Sequence, residues 1–389
     1  MIRYLFLAVQ VVTVIGTLAG IAYYILCLWS ARQYLAYQAT VRDSANTSHR
    51  LPVSILKPLK GVDPSIYESF RSHCLQEYPD YEIIFGVSEA DDPAIAVVER
   101  LQREFPARRI QLVVCQQRLG TNVKVSNLVQ MLPHAQYELL IVNDSDIRVA
   151  PDYLDRVLAP LAQSSVGMVT CLYRGVPEET PGSQLESLGI STDFAAGVLV
   201  ARCLEGVRFG LGSTLAFRRA DLSRIGGFEA LLDYLADDYQ LGKRIAALGL
   251  EVRLSEVVVD TFLPAYNFAA FFEHQLRWAR SVRDSRRWGY VGMLLTYGLP
   301  WALLTCMIAR GSRWSIVLLA VAAALRIAVA LVVGRSALRD HFVLRLLPWL
   351  LVRDLTGVLV WFASFASDTI AWRGRYFHLH NGKLSPADS

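Results

Sequence analysis

The two ends of the chain are far more apolar than its middle, and that division restricts its fold more than any other feature. Residues 4–29 are almost wholly apolar, broken only by Gln10, Thr13 and Thr17. At about 1.5 Å per residue, a helix of that length crosses a hydrocarbon core of roughly 30 Å. Arg3 would also suit the charged start of a cleaved leader. The apolar run is longer than a typical leader core, however, so an uncleaved anchor is expected. Arg32, Arg42 and Arg50 follow it against one acid, Asp43, which by the positive-inside rule places the next residues in the cytoplasm.

Residues 290–309 and 314–333 are two further candidate spans, separated by Arg310-Gly311-Ser312-Arg313. Arg326 interrupts the second. A charge at that depth is costly and is expected to face other helices, a cavity or a lipid headgroup. Residues 342–372 are apolar again but carry Arg345, Arg353 and Asp354. They read either as an interfacial helix followed by one span or as a re-entrant pair.

Between these ends, residues 40–285 have ordinary polarity, so the 53% hydrophobic content reflects the termini. At 389 residues there is room for one domain of ordinary size plus a membrane part. A net charge of +4 is too small to mark a nucleic-acid partner. The basic residues gather beside the apolar stretches, where anionic headgroups would meet them. The six cysteines show no CxxC or metal spacing and read as small packing residues of a reducing, cytosol-facing domain.

In the middle, residues 53–56, 81–87, 110–114, 139–142 and 166–173 are short apolar runs that alternate with helical stretches at 66–76, 95–104 and 152–161. That alternation predicts βαβ units and a mostly parallel sheet. There is no GxGxxG after the first strand and no GxxxxGK[ST], so neither the usual dinucleotide fold nor a P-loop is supported.

Acids follow two of these strands. Glu89, Asp91 and Asp92 come after 81–87, and Asn143-Asp144-Ser145-Asp146 after 139–142. Asp144 and Asp146, at i and i+2, can project to one side and share a divalent cation. Ligands of open α/β sheets bind outside the carboxyl ends of strands. A lone Asp-x-Asp reads more readily as an Asx-rich turn, so its weight as a site depends on what else converges on it. Lys124 falls near the start of a helix, a place that suits a phosphate, although lysines there are also common on solvated faces. The glycine-rich 209–218 allows backbone to approach a ligand closely. Asp237 and Asp238 open a helix that Gly249 ends, as caps or as site acids. Residues 268–283 form a helix with aromatic residues on one side and His274, Arg277, Trp278 and Arg280 close together. It also reads as a basic helix lying on a membrane surface.

In this order and spacing, the acids after 81–87, the NDSD, the ADD at 236–238 and the HQLRW at 274–278 resemble the signature of inverting GT-A glycosyltransferases, three aspartate sites followed by (Q/R)xxRW. The stretches LKPLKG, DDPAI, KVSNL, NDSDIRV, GSTLAFRR, GGFEAL, LADDYQLG, HQLRW and WRGR resemble the ceramide glucosyltransferase family, glycosyltransferase family 21. That family includes a bacterial branch associated with hopanoid lipids, toward which MVTCLYRG at 168–175 and WRGR at 372–375 lean.

The resemblance implies a GT-A fold, α/β and Rossmann-like with a mostly parallel sheet, one N-terminal transmembrane helix and a C-terminal multi-helix membrane region. The division would be an anchor at 1–31, a catalytic domain at 32–285 ending in an interfacial helix at 268–285, and two to four membrane helices with a short tail at 286–389. Asp92, with Glu89 and Asp91 beside it, would lie near the uracil end of a UDP-sugar. Asp144 and Asp146 would meet the ribose and, through Mg²⁺ or Mn²⁺, the diphosphate, with Lys124 and Asp237 in the same nucleotide-sugar site. Asp238 matches the catalytic base. Arg277 and Trp278 fall on the RW, and His274 takes its first position, a departure from strict Q/R that is familiar in this family. Gln275 is one residue out of register for the general motif.

Inverting transfer is one in-line displacement, so it needs a base and an electrophilic partner for the leaving group but no enzyme nucleophile. The expected function is transfer of a hexose from a UDP-sugar to a lipid hydroxyl, foremost glucose to ceramide. The alternatives are N-acetylglucosamine or another hexose to a hopanoid polyol, a processive polysaccharide synthase, and an inactive membrane scaffold. A synthase would need more spans to line a channel, and retention of every acid argues against a scaffold. The expected setting is a multi-pass protein of a bacterial inner membrane with its catalytic domain in the cytoplasm. Its partners would be the UDP-sugar, the lipid acceptor and membrane lipids, with no nucleic acid.

Overall fold

The structure is a computed structural model that describes residues 2–43, 50–372 and 375–386. Arg373 and Gly374 of the WRGR stretch lie outside them. The chain forms two compact units. One comprises Gln38–Val176, Glu205–Pro264 and the residues from Arg375, and the other Met1–Tyr37, Pro177–Leu204 and Ala265–Gly374.

The first unit is built on one sheet. Its strands are β1 (Val53–Pro58), β2 (Tyr81–Val87), β3 (Arg109–Val114), β4 (Leu139–Val142), β5 (Ile147–Arg148), β6 (Val166–Val176), β7 (Leu215–Arg218) and β8 (Glu251–Phe262). They lie in the order β3-β2-β1-β4-β7-β6-β8-β5. β1, β2, β3 and β4 pair in parallel, as do β6 and β8. β7 runs antiparallel between β4 and β6, and β5 antiparallel on β8. Every residue of β1, β2 and β4 is buried, which is why these strands are continuous apolar runs rather than alternating ones. Helix Val123–Met131 lies directly on this sheet. A Cβ on Gly86 would sit 2.3 Å from Met131 Sδ, so only glycine admits that approach.

The acids are placed by how β4 ends. Asn143 is fully buried, and its Nδ2 donates to Tyr153 Oη (3.0 Å) and to the Ser213 carbonyl (2.6 Å). The strand is thereby tied off, and Asp144 is delivered to the sheet's carboxyl edge.

β8 is a strand that the sequence pattern concealed. Its apolar positions are interrupted by Glu256 and Asp260, and no strand was expected there. In the fold both are compensated, Glu256 by Arg156 (3.0 Å) and Asp260 by Arg148 (2.7 Å) and Arg174 (2.6 Å). The C-terminal hairpin of Arg375–His380 and Lys383–Pro386 was likewise absent from the expected elements.

The second unit is helical. Among the described residues, Tyr4–Val41, Pro181–Leu204, Arg313–Ala337 and Phe342–Ser364 are long and apolar enough to cross a membrane. The expected span at 290–309 is instead a bent pair, Arg287–Thr296 and Gly298–Ile308, meeting at 54°. The N-terminal helix packs tightly on the second member. A Cβ on Gly20 would lie 2.1 Å from Gly298 Cα, and Thr17 and Thr305 share a buried hydroxyl bond (2.9 Å).

Arg326 faces other helices, as its cost in hydrocarbon requires. It donates to both oxygens of Asp354 (3.0 and 3.1 Å) and to Asp193 Oδ1 (2.6 Å). Asp193 is offered by a π-helical turn, Ile190–Phe194, inside Pro181–Leu204.

Within 32–285, the sheet unit takes residues 38–176 and 205–264. Residues 177–204 and 265–285 cluster with the apolar helices. The reason is packing: Leu188 is fully buried against Ala330, Val343, Leu346 and Leu350.

Candidate active site

Three elements of the sheet unit converge at the carboxyl end of β4. The turn after β4 carries Asp144 and Asp146, helix Val123–Met131 carries Lys124, and helix Asp237–Ala247 opens with Asp237 and Asp238. Lys124 Nζ lies 2.7 Å from Asp144 Oδ1 and 3.2 Å from Asp237 Oδ2. Asn122, the cap of the lysine's helix, accepts from Val125 N and donates through Nδ2 to Asp237 Oδ1 (3.3 Å). One turn of chain thus orders both the lysine and an acid of the opposing helix.

Asp238 is held by backbone. Its Oδ2 accepts from Gly212 N (2.8 Å) and its Oδ1 from Tyr239 N (2.7 Å). The same Gly212 accepts from Asp144 N through its carbonyl (3.2 Å). Gly212 therefore sits between the two acids, and a Cβ there would lie 2.5 Å from Asp144 Oδ2 and 3.4 Å from Asp238 Oδ2. The glycine-rich stretch flagged in the sequence as a close approach makes that approach here, to carboxylates.

The electrostatics follow from crowding. Burial and then the charge of Asp237 push Asp238 up to about 6, against the pull of Lys124. Burial and then Asp144 push Asp146 up to about 7, partly offset by a hydrogen bond from Thr261. Burial alone would depress Lys124, but Asp144, Asp237 and Asp238 together raise it, so it stays charged.

The sequence reading passed over Lys57 as a site residue. It is fully buried at the end of β1, donates to the Asp144 carbonyl (3.0 Å), and is pushed down to about 7 by burial, against Asp146 and Asp144. A lysine inside an otherwise apolar strand end was the available signal. Asp63, which accepts from Ser145 Oγ, was also missed.

Asp92 is occupied by backbone. It accepts from Gly61 N at both oxygens (3.0 and 3.1 Å) and from Ala94 N (2.9 Å), which fixes the LKPLKG turn and caps the following helix. Glu89 and Asp91 beside it are exposed.

Asp144 and Asp146 suit a divalent cation of the Mg²⁺ type. Their mutual repulsion is the charge such an ion would relieve, and the Asp144 side chain is 42% exposed. Among the described residues no three His, Cys, Asp or Glu side chains are grouped to hold a metal. An ion bound by two carboxylates takes its remaining oxygens from substrate phosphate and water.

The HQLRW residues belong to the helical unit, on helix Phe268–Ser285. His274 Nδ1 lies 3.0 Å from Glu186 Oε1, and the ring stacks on Tyr266 at 5.4 Å. Gln275, out of register for the motif, bridges instead: it donates to Glu186 Oε2 and accepts from Arg353 Nη2, both at 3.1 Å. Trp278 is partly exposed with its ring edge on Phe194, and Arg277 is half-buried.

A mostly parallel sheet broken internally by one reversed strand, with paired acids at the break and a lysine and a second acid pair facing them, is a GT-A type fold. Among solved structures the chain is similar to a mannosyltransferase from Pyrobaculum calidifontis in complex with GDP-Man and Mn²⁺. The TM-score is 0.52 at 20% identity, over 90% of this chain and 98% of that one, a likeness of fold. The family is defined by the sequence along nearly its whole length: the chain belongs to Glycosyl transferase family 21, matched over residues 12–385. It is 24% identical over 396 residues to ceramide glucosyltransferase 3 of Caenorhabditis elegans, covering 96% of this chain and 83% of that one. With ceramide glucosyltransferase 1 of the same organism it shares 26% identity over 229 residues, 59% of this chain and 49% of that one.

Proposed function

We propose that this glycosyltransferase moves glucose from UDP-glucose to the primary hydroxyl of ceramide in one inverting displacement. The observation that carries this reading is the Gly212 bridge, which holds the Asp238 carboxylate by its amide and the Asp144 backbone by its carbonyl. The base and the acids assigned to the leaving group are thereby both tied to one residue, and such fixed placement of groups is what an in-line displacement draws on. The similarity to two ceramide glucosyltransferases supports the choice of acceptor.

In this mechanism Asp238 takes the proton of the acceptor hydroxyl. With its carboxyl at about 6 it is charged at neutral pH yet basic enough to accept. Asp144 and Asp146 would hold the divalent cation, which offsets the charge developing on the departing UDP. Lys124, kept charged by its three acids, provides a fixed positive group for the diphosphate, with Asp237 orienting it. Asp92 acts on the nucleoside end through the turn it fixes, with Glu89 and Asp91 at the rim. The motif assigns His274, Arg277 and Trp278 to the same reaction, Arg277 as a charge for the diphosphate and Trp278 as a wall for sugar or lipid. We place the protein as multi-pass in a bacterial inner membrane with the sheet unit in the cytoplasm.

The test is UDP release from UDP-glucose by the full chain in vesicles, with and without ceramide and Mn²⁺. Release that requires both, with β-linked glucosylceramide as product, is expected. Release only with a hopanoid polyol, only with UDP-N-acetylglucosamine, or only with formation of a soluble polymer would overturn the proposal.

A further inference from the structure

The loop that delivers the acids of helix Asp237–Ala247 is gripped from two sides, and one of the grips comes from the far end of the chain. On one side, Asn122 N donates to the Leu232 carbonyl (2.8 Å), Asn122 Nδ2 donates to the Tyr234 carbonyl (2.7 Å), and Thr121 donates to Asp233 Oδ1 through both its amide (3.0 Å) and its hydroxyl (2.9 Å). On the other side stands the C-terminal hairpin. Leu235 N donates to the Gly382 carbonyl (3.0 Å), and Leu384 N donates to the Asp233 carbonyl (2.7 Å). These two bonds flank Tyr234, which bridges Lys383 as a short antiparallel pair.

The hairpin is shaped for that contact. His380 pairs with Lys383, leaving the two-residue turn Asn381-Gly382, and both turn residues have positive φ (52° and 78°). This is the tight turn whose twist matches that of the flanking strands, and Asn-Gly is the pair that adopts it most readily. Phe377, Leu379 and Leu384 are buried, which anchors the hairpin. Its tip lies flat on Tyr234: a Cβ on Gly382 would come within 3.2 Å of Tyr234 Cδ1 and 3.5 Å of Gln240 Nε2. The Tyr234 ring has Lys383 Nζ at 5.4 Å and the Arg244 guanidinium at 5.5 Å, the latter from the catalytic helix itself.

We propose that the hairpin tip, Asn381 to Leu384, is a positioning element for the catalytic base. It sets the path of residues 233–235 and through them the place of Asp238, while Asp237 is held separately by Asn122 and Lys124, so the hairpin completes the setting of the base. The hairpin's backbone bonds go to the loop ahead of the base, at Asp233 and Leu235, so its loss is expected to act on turnover more than on nucleotide binding. The inference rests on the reading of Asp238 as base.

The experiment uses the full protein in lipid nanodiscs, comparing wild type with Gly382→Val, with Asp238→Asn and with a chain ending at residue 374. Measured are kcat and KM with UDP-glucose and ceramide, and UDP affinity in the presence of Mn²⁺ by calorimetry. Gly382→Val and the shortened chain are expected to lose ~10- to 100-fold in kcat, the scale of an ångström-sized misplacement, with UDP affinity within about twofold of wild type. Normal kcat in both variants would overturn the proposal. So would a parallel loss of kcat and UDP affinity in Gly382→Val, which marks damage to the fold. An active Asp238→Asn would instead remove the base reading itself. An inactive Asp238→Asn beside fully active hairpin variants would sink the positioning role alone.

Discussion

Lys124 reaches Asp144 at 2.7 Å with its side chain only 14% exposed, and the same ammonium touches Asp237 at 3.2 Å. One cation thus serves acids from two different elements. Replacing it leaves both carboxylates crowded and uncompensated, and hydrogen bonds to charged groups contribute about 1.5–3 kcal/mol each. Lys124→Met is expected to weaken UDP binding by roughly tenfold or more and to lower Tm. Calorimetry and a thermal melt check both, and unchanged UDP affinity would remove Lys124 from the nucleotide site.

The pH dependence follows from Asp238. Burial and the Asp237 charge raise it from 3.8 to about 6, and a base must be ionised to act. Activity should therefore rise through about pH 6 and be lost below it, well above the limb expected of an exposed aspartate. Asp237→Asn removes a like charge and should move that limb to lower pH. A kcat/KM profile of the two proteins reads the shift, and a limb that stays put after Asp237→Asn contradicts the assignment.

Gly212→Ala tests the bridge between the two acid sites. The added Cβ meets Asp144 Oδ2 at 2.5 Å, the free end of a side chain, so the carboxylate moves while the fold persists. Turnover should fall by on the order of 10²-fold with little change in Tm. Near-normal turnover would show that the acids tolerate displacement.

Membrane topology is constrained by the sheet. β6, ahead of Pro181–Leu204, pairs with β7 behind it, so both flanks of that helix lie in one sheet and it cannot be a single complete crossing. Likewise Lys383 pairs with Tyr234, so an even number of crossings separates residue 264 from the C-terminal hairpin. In a background without native cysteines, Glu179→Cys, Glu205→Cys and a C-terminal tag should all be accessible from one face of sealed vesicles. Labelling of Glu179→Cys and Glu205→Cys from opposite faces would refute it.

Much of this was legible along the chain. β1, β2, β3, β4, β6 and β7 are apolar runs whose local composition marks them as strands, and the acids follow the strands that were expected to carry them. β8 was hidden because Glu256 and Asp260 look like loop residues until arginines distant in sequence neutralise them. The hairpin had a signal, Asn381-Gly382 between alternating apolar residues, which was not among the expected elements.

The apolar ends, the alternation of strand and helix, and the order of the acidic motifs are readable along the chain, because periodicity and composition are local properties. Folding in three dimensions is what packs Pro181–Leu204 with the apolar helices, spends Asp92 on backbone amides, and lets Lys124 and Gly212 join Asp144 to Asp237 and Asp238. Those contacts link segments far apart in the chain. The Gly212 contact in particular follows from β7 inserting in reverse between β4 and β6, which brings the chain just ahead of β7 beside the end of β4.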